Sequence, residues 1–437
     1  MTSGPSASDG RRDHAESPFR VASFTSIASH LSPPFYFQEG SLLTFALSIV
    51  LLVLLCIVLV PVLVLLAQVL LAMLPLRAAA LAPGPRPRLA VLIPAHNEEA
   101  GLLATIASLR PQLCAGDRML VVADNCHDRT AAVARSAGAE VVERTHAQLR
   151  GKGYALDFGV QALAAAPPEV VVIVDADCIV GDGALARVAG LAVQHHRPVQ
   201  ALYLMHTPAG SGPLKKIAQF AWIVKNKVRP LGWFRLGWPC QLMGSGMAFE
   251  WETMYAARLA TGHIVEDMKL GMDLALAGSP PMFCPDALVH SYFPTSSEGV
   301  QSQRTRWEHG HLSMIASTVP PTLLAAVRRA SPSLFAFGLD LCVPPLALLV
   351  LLVCSLTGLS LLLAWFGGPV APLALGILAG AALGAAILMA WWRHGRAVLS
   401  GKGLALAAVY VVAKIPLYVR FLFQRQVAWV RSKRDSE

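Results

Sequence analysis

The sequence predicts an α/β domain built on a mostly parallel central sheet and flanked on both sides by membrane helices. Three observations carry this. From Arg88 onward, short Val/Ile-rich runs alternate with segments of helical spacing, the pattern of a parallel sheet covered on both faces. Two long apolar stretches, 41–75 and 335–392 (apart from Asp340), bracket that region. The 437-residue chain as a whole has 55% hydrophobic and 14% charged residues and a mean hydropathy of +0.53, too apolar for an ordinary soluble protein.

The elements follow in order. Residues 1–40 begin MTSGPSASDGRRDHAESPFR, rich in Ser, Pro and charge, and are expected to be a disordered polar tail. Such a polar lead is not a cleavable signal, which would start with a basic end and a short apolar run. A bilayer core needs about 20 apolar residues per helix, so 41–75 forms one long tilted span or two short ones broken at Pro61. Residues 88–312 are the globular domain: strands in RLAVLIPAHN, MLVVADNCHD, EVVERT and VVVIVDADC, and helices in EEAGLLATIASLRPQL, RTAAVARSAGA and GKGYALDFGVQALAAA. Residues 313–334 are an interfacial connection. The stretch 335–392 has room for about two spans, broken near Gly367, Gly368 and Pro369. In 393–437, Lys414, Pro416 and Arg420 suit an interfacial or re-entrant helix better than a span, followed by a basic tail.

Basic residues set the expected topology. Arg77, Arg86 and Arg88 follow the first apolar region; Arg393, Arg396 and Lys402 follow the last clear span; Arg425, Arg431, Lys433 and Arg434 close the chain. All are expected in the cytoplasm with the globular domain. The net charge of +9 suits anionic headgroups or phosphorylated ligands. Because the basic residues gather beside apolar segments rather than on one stripe of a soluble module, nucleic acid is not an expected partner. The eight cysteines contain no CxxC pair and are expected to be reduced thiols.

Ligands of parallel sheets bind beyond the carboxyl ends of the strands, and there the polar clusters fall: PAHNEE, ADNCHD and DADC. No GxGxxG follows the first strand and no GxxxxGK[ST] occurs, so a nucleotide there relies on carboxylates and a metal. Asp175 and Asp177, one residue apart at a strand end, can converge on one hard divalent cation, although such pairs are also common in turns. Asp124 and Asp128 are either helix caps or nucleotide contacts. Lys152 opens a helix, where a cation opposes the dipole; a phosphate would relieve this, and a solvated charge is the alternative. Glu266 and Asp267 also open a helix, where carboxylates are favourable anyway, yet deprotonating a sugar hydroxyl needs one placed carboxylate. Residues 215–238, KKIAQFAWIVKNKVRPLGWFRLGW, are basic and aromatic in alternation: a headgroup-layer segment or a core helix with a basic face. His195, His196, His309 and His311 lack further ligands in register for a metal site. QRTRW at 303–307 is by itself a basic, aromatic anchor at the bilayer surface.

Taken together, IPAHNEE, the strand-end Asp124, DAD, GSGMAF, VED and QRTRW resemble, in order and spacing, membrane-bound family 2 glycosyltransferases. These GT-A enzymes include cellulose synthase, hyaluronan synthase and ceramide glucosyltransferase. The resemblance covers about 89–307 plus the flanking helices, and implies a GT-A-like cytoplasmic domain. By position it implies nucleoside contacts at Glu98 and Asp124, a basic residue near the diphosphate at Lys152, and the DxD at Asp175 and Asp177. Asp177 is then the more direct Mg2+ or Mn2+ ligand. Gly244, Ser245 and Gly246 match a small-residue turn beside the acceptor, with Phe249 nearby. Asp267, next to Glu266, matches the general base. Gln303, Arg306 and Trp307 match QxxRW, the arginine on the diphosphate and the tryptophan in the acceptor subsite. Arg304 and His309 lie outside that motif and keep the anchor reading.

The implied function is inverting, metal-dependent sugar transfer from a nucleotide-diphosphate sugar to a lipid-linked or growing glycan acceptor. It is expected at the cytoplasmic face of a multi-pass bacterial inner-membrane protein, in exopolysaccharide or cell-envelope polysaccharide biosynthesis. Membrane lipids and other polysaccharide-assembly proteins are the expected partners. Relative to the processive synthases, few spans, no nucleotide-sensing C-terminal domain and no gating segment are expected. Single-sugar transfer to a polyprenyl-phosphate or ceramide-like lipid is therefore the alternative. A non-catalytic scaffold and a nucleotidyltransferase are rivals from other classes.

Overall fold

A computed structural model describes residues 1, 40–75, 84–294 and 296–423. Residues 2–39 of the expected polar tail, Arg77, and the basic tail with Arg425, Arg431, Lys433 and Arg434 lie outside the described residues.

The sheet has eight strands: β1 (Leu89–Ala95), β2 (Arg118–Asp124), β3 (Glu140–Arg144), β4 (Val170–Ile173), β5 (Ile179–Val180), β6 (Val199–His206), β7 (Met247–Glu250) and β8 (Met282–Tyr292). Their order is β3-β2-β1-β4-β7-β6-β8-β5. The first four neighbours are parallel, as is β6 with β8. β7 joins the halves antiparallel to both β4 and β6, and β5 is antiparallel to β8.

Alternation explains the layers. Leu89, Val91 and Ile93 point into one apolar core with the helices Leu102–Leu109 and Ala184–His195. Ala90 and Leu92 point into the other, against the helix Lys152–Leu163. A strand buried on both faces cannot show a polar/apolar alternation, hence its continuous apolar reading. All eight cysteines are free thiols.

Among the described residues, five helices are long and apolar enough to cross a membrane: Leu42–Ala72, Gly299–Arg328, Leu346–Trp365, Ala371–Gly395 and Gly401–Phe423. The first belongs to one continuous helix, Gly40–Ala72, with Pro61 inside it. The helices Leu346–Trp365 and Ala371–Ala390 are parted at residues 366–370, near the glycines and proline singled out above. The expected border between 312 and 313 falls inside a single helix, Ser297–Arg328; QRTRW and the connection after it are one rigid element. Gly401–Phe423 is three short helices, Gly401–Ala405, Ala407–Ala413 and Ile415–Phe423. Its Lys414 is neither solvated nor isolated, because it is ion-paired to Glu308, so the lysine is no argument for placing this segment outside the bilayer.

The apolar helices are tied to the domain by Asp340, the one acidic residue of its apolar stretch. Its buried carboxylate accepts from Gln68 of the first helix (2.6 Å), from Arg229 (2.9 Å) and from Gln241 (2.7 Å). A buried carboxylate persists only when paired and hydrogen-bonded in this way.

Candidate active site

The first two strands end in matching turns. Asn97 and Asn125 sit at φ 54° and 50°, in the left-handed region that asparagine tolerates. Asn97 Oδ1 accepts from the His127 amide (2.7 Å), and Asn125 Oδ1 from the His146 amide (2.9 Å). These bonds hold Glu98 and Asp124 at the sheet edge. Asp124 is paired with Arg144 at 2.6 Å. Asp128 stands one residue before the N-cap of the helix Thr130–Ser136, where its Oδ1 accepts from the Thr130 amide at 2.9 Å.

Beyond β4 the chain turns through Asp175, Ala176 and Asp177. Ser245 Oγ accepts from the Asp175 amide (3.1 Å), and Thr105 Oγ1 donates to the Ala176 carbonyl (2.8 Å). Gly244 (φ 91°) passes close in front. A Cβ built there would stand 3.4 Å from Asp267 Oδ2, 3.6 Å from Lys152 Nζ and 3.8 Å from Asp175 Oδ2. Two carboxylates and an ammonium, separated by up to 115 positions in the chain, thus converge on one glycine.

Lys152 pairs with Asp175 and donates to the Gly244 carbonyl at 2.7 Å. Its unfavourable place at a helix start is therefore offset by a carboxylate of the site itself. Burial would lower its pKa, but the Asp175 and Glu266 carboxylates outweigh that and hold it well above the ordinary lysine value. Burial raises the Asp175 carboxyl, Lys152 opposing and Asp177 adding to the rise. Glu266 is pushed up to about 7, by burial first and by the Asp267 charge second.

Glu266 and Asp267 open the helix Glu266–Leu276. The helix Ser297–Arg328 is brought against them by Gly310, where a Cβ would lie 2.5 Å from Val265 Cγ1. Only a residue without a side chain permits that approach. On this helix Gln303, Arg306 and Trp307 line the cleft, at the spacing of one helical face. The Arg306 Nε is buried without a hydrogen-bond partner, and among the described residues the guanidinium has no carboxylate within 4.0 Å. A half-buried guanidinium whose Nε lacks a partner suits an anion with paired oxygens.

One cleft is lined by Glu98, Asp124, Lys152, Asp175, Asp177, Gly244, Glu266, Asp267, Gln303, Arg306 and Trp307. Three expected neighbours of the acceptor stand elsewhere. Ser245 is buried behind Gly244, and Gly246 packs against Ala201 and Val289. Phe249 lies within β7, fully buried in the sheet core; an apolar run after small residues was a strand, not a subsite wall. His309 is also buried, its Nε2 3.1 Å from the Leu417 carbonyl, so it anchors a helix rather than the bilayer surface.

Trp222 and Lys225 also line the cleft, and sequence reasoning assigned them no role. Trp222 lies beside Trp307, ring centroids 4.9 Å apart. Trp222 and Lys225 come from the basic, aromatic segment, which folds as the helix Pro213–Ile223, a π-helical turn Val224–Val228 and the helix Arg229–Phe234. Such π turns recur at functional sites. The buried Arg229 and Trp233 there are core residues, so neither the headgroup-layer reading nor the simple basic-face reading covers the whole segment.

The donor set fits a hard divalent cation. Asp175, Asp177 and Cys178 bring ligand atoms within 4.8 Å of one another. Burial holds the Cys178 thiol well above its ordinary pKa, which leaves the two carboxylates as donors, the type that Mg2+ and Mn2+ take.

A second, mainly apolar cavity adjoins the cleft and shares Trp222, Lys225 and Trp307 with it. The next face of the same helix, Arg304, Glu308 and His311, lines it, together with Leu65, Leu346 and Tyr410 from three apolar helices. QRTRW thus serves two chambers, and Trp307 divides them.

The family described as "Glycosyltransferase like family 2" matches residues 85–310. No curated sequence matches the chain. Among solved structures, a mannosyltransferase from Pyrobaculum calidifontis in complex with GDP-mannose and Mn2+ is similar at 18% identity. The match covers 87% of this chain and 99% of that one, with a TM-score of 0.51; it shows a shared fold. Glucosyl-3-phosphoglycerate synthase from Mycobacterium tuberculosis, with Mn2+ and UDP-glucose, matches at 20% identity over 55% of this chain and 86% of that one, TM-score 0.38.

Proposed function

Since the chain belongs to the glycosyltransferase-like family 2 through residues 85–310, and so is a glycosyltransferase, we propose that it inverts the sugar of a nucleotide-diphosphate donor onto an acceptor presented at the membrane surface. The observation that carries this is the convergence of Asp175, Lys152 and Asp267 on Gly244, in a cleft shared with Asp177 and Arg306.

In this reading Glu98 and Asp124 contact the nucleoside, and Asp175 and Asp177 hold Mg2+ or Mn2+. The bound cation would neutralise the diphosphate and stabilise it as a leaving group. The chain's own groups do the rest. Arg306 binds the diphosphate oxygens, and Lys152 adds positive charge beside them. Asp267, at the helix start, accepts the proton of the acceptor hydroxyl while that oxygen bonds to the anomeric carbon and the bond to the diphosphate breaks. Glu266, with its raised pKa, holds a proton for much of the time near neutrality, which spares Asp267 a full neighbouring negative charge. Trp307 and Trp222 form the wall past which the acceptor enters.

The cytoplasmic face of a bacterial inner membrane is the proposed location, from the basic residues that follow the spans. Cell-envelope or exopolysaccharide assembly is the proposed context. A lipid acceptor is favoured over an extruded glycan by the second cavity, which joins the cleft to three apolar helices.

The test is a panel of nucleotide sugars with Mg2+ or Mn2+ and membrane lipid extract. Release of free nucleoside diphosphate together with label in a lipid-extractable product is expected. Failure to bind or turn over any nucleotide sugar would reject the proposal.

A further inference from the structure

We propose that the second cavity receives the headgroup of a phosphate-bearing lipid, held by Lys225 and Arg304, and that a hydroxyl of this headgroup is the acceptor. The inference rests on the glycosyltransferase reading above and names the class of its acceptor.

Charge matching carries it. Four fully charged side chains line the cavity: Lys225, Arg229, Arg304 and Glu308. Arg229 is compensated by Asp340 at 2.9 Å, and Glu308 by Lys414. Lys225 and Arg304 have no carboxylate within 4.0 Å among the described residues. Their nearest offsetting contacts are aromatic faces: Lys225 Nζ lies 5.5 Å from the Trp222 ring centroid and Arg304 Cζ 5.8 Å from that of Tyr410, while the Asp267, Asp340 and Glu308 carboxylates act on Lys225 only from beyond ion-pair distance. Two cations without a direct ion pair among the described residues remain in a mainly apolar chamber. Cation–π contact offsets part of their lost hydration, but a neutral occupant would leave them unmatched. Burial accordingly lowers the Lys225 pKa, a cost that a phosphate would remove.

The walls select the rest of the molecule. Leu65, Leu346 and Tyr410 come from apolar helices, so the chamber stands where acyl or prenyl chains run. Lys225 also lines the catalytic cleft, so a phosphate on it has its neighbouring hydroxyl beside Trp222 and Trp307, facing Asp267. The phosphate is not consumed. The hydroxyl oxygen bonds to the anomeric carbon, its proton passes to Asp267, and the donor diphosphate departs with the electron pair of the broken bond.

Native mass spectrometry of the full-length protein in detergent tests this with phosphatidylglycerol, which carries phosphate and hydroxyls, against diacylglycerol and ceramide. Lys225→Gln and Arg304→Gln are tested singly and together, with Arg396→Gln, an exposed cation outside the cavity, as the control for surface lipid. The wild-type protein should retain phosphatidylglycerol in preference to both neutral lipids. Each cavity variant should weaken it by about tenfold, the scale of one charge-assisted bond, with neutral-lipid retention and the Arg396→Gln control unchanged. Lys225→Arg should restore retention, which separates charge from folding. Equal retention of neutral lipids by the wild type, or wild-type retention by the double variant, would overturn the proposal. Nucleotide-sugar hydrolysis measured on the same samples keeps the two readings apart. Hydrolysis without lipid selectivity sinks this inference alone; lipid selectivity without any nucleotide-sugar binding sinks the glycosyltransferase role instead.

Discussion

Gly310 lies against Val265 so closely that a Cβ on the glycine would stand 2.5 Å from Cγ1 of the valine. That contact sets the distance between the helix bearing Arg306 and Trp307 and the turn bearing Glu266 and Asp267. Gly310→Val must push the two apart. A misplacement of this order near the chemistry costs about a hundredfold in turnover. We expect that loss in kcat with nucleotide affinity kept, measured by steady-state kinetics beside nucleotide titration. Unchanged kcat would mean that the contact is packing alone.

The carboxylates of Asp175 and Asp177 lead to a metal prediction. Asp177→Asn removes a charged oxygen donor while Asp175 stays paired to Lys152. Chelation should abolish transfer in the wild type, and Mn2+ or Mg2+ should restore it. In the variant, restoration should require a much higher metal concentration. Transfer that persists in chelator would remove the cation from the account.

Glu266 gives a stability profile with a defined sign. Its folded-state pKa of about 7 lies above the ordinary 4.5, so between these values the folded chain binds more protons than the unfolded one. Stability from this group is therefore greatest below pH 4.5 and falls as pH rises to 7. Glu266→Gln should melt higher than the wild type at pH 8, with the gain shrinking steadily toward pH 4.5. Thermal melts across that range would show it; a gain that grows on acidification would contradict the assignment.

Much of this architecture was legible in the chain. β1, β2 and β4 and their polar ends were readable because a strand buried on both faces is an unbroken apolar run, whereas β3, at the partly exposed sheet edge, showed only a short Val-Val core. Asp124, Asp175, Asp177, Asp267 and Arg306 were legible as a set only through the resemblance of their motifs, in order and spacing, to family 2 glycosyltransferases; singly, each also suited a cap, a turn or a surface anchor. Phe249 misled, since a fragment such as GSGMAF does not distinguish a turn from the start of a strand. Trp222 and Lys225 were hidden because a basic, aromatic segment looks alike whether it meets headgroups or a cleft. The partner of Lys414 was equally invisible, since Glu308 lies 106 residues away.

The Glu308–Lys414 pair joins the QRTRW helix to the last apolar segment, and both side chains are largely buried. Removing one partner strands the other charge, at a cost of about 3–5 kcal/mol. Glu308→Gln and Lys414→Met should each lower the melting temperature sharply, and the double variant should recover most of the loss. Additive losses in that cycle would show the two charges to be independent.

Asp267→Asn is the most direct test of the central claim, that remote acidic groups and one guanidinium form a single sugar-transfer site. The substitution keeps the side chain's size and its place beside Gly244 but removes the proton acceptor. With saturating nucleotide sugar and metal, the variant should bind donor as tightly as the wild type and transfer no sugar. Transfer near the wild-type rate would contradict it.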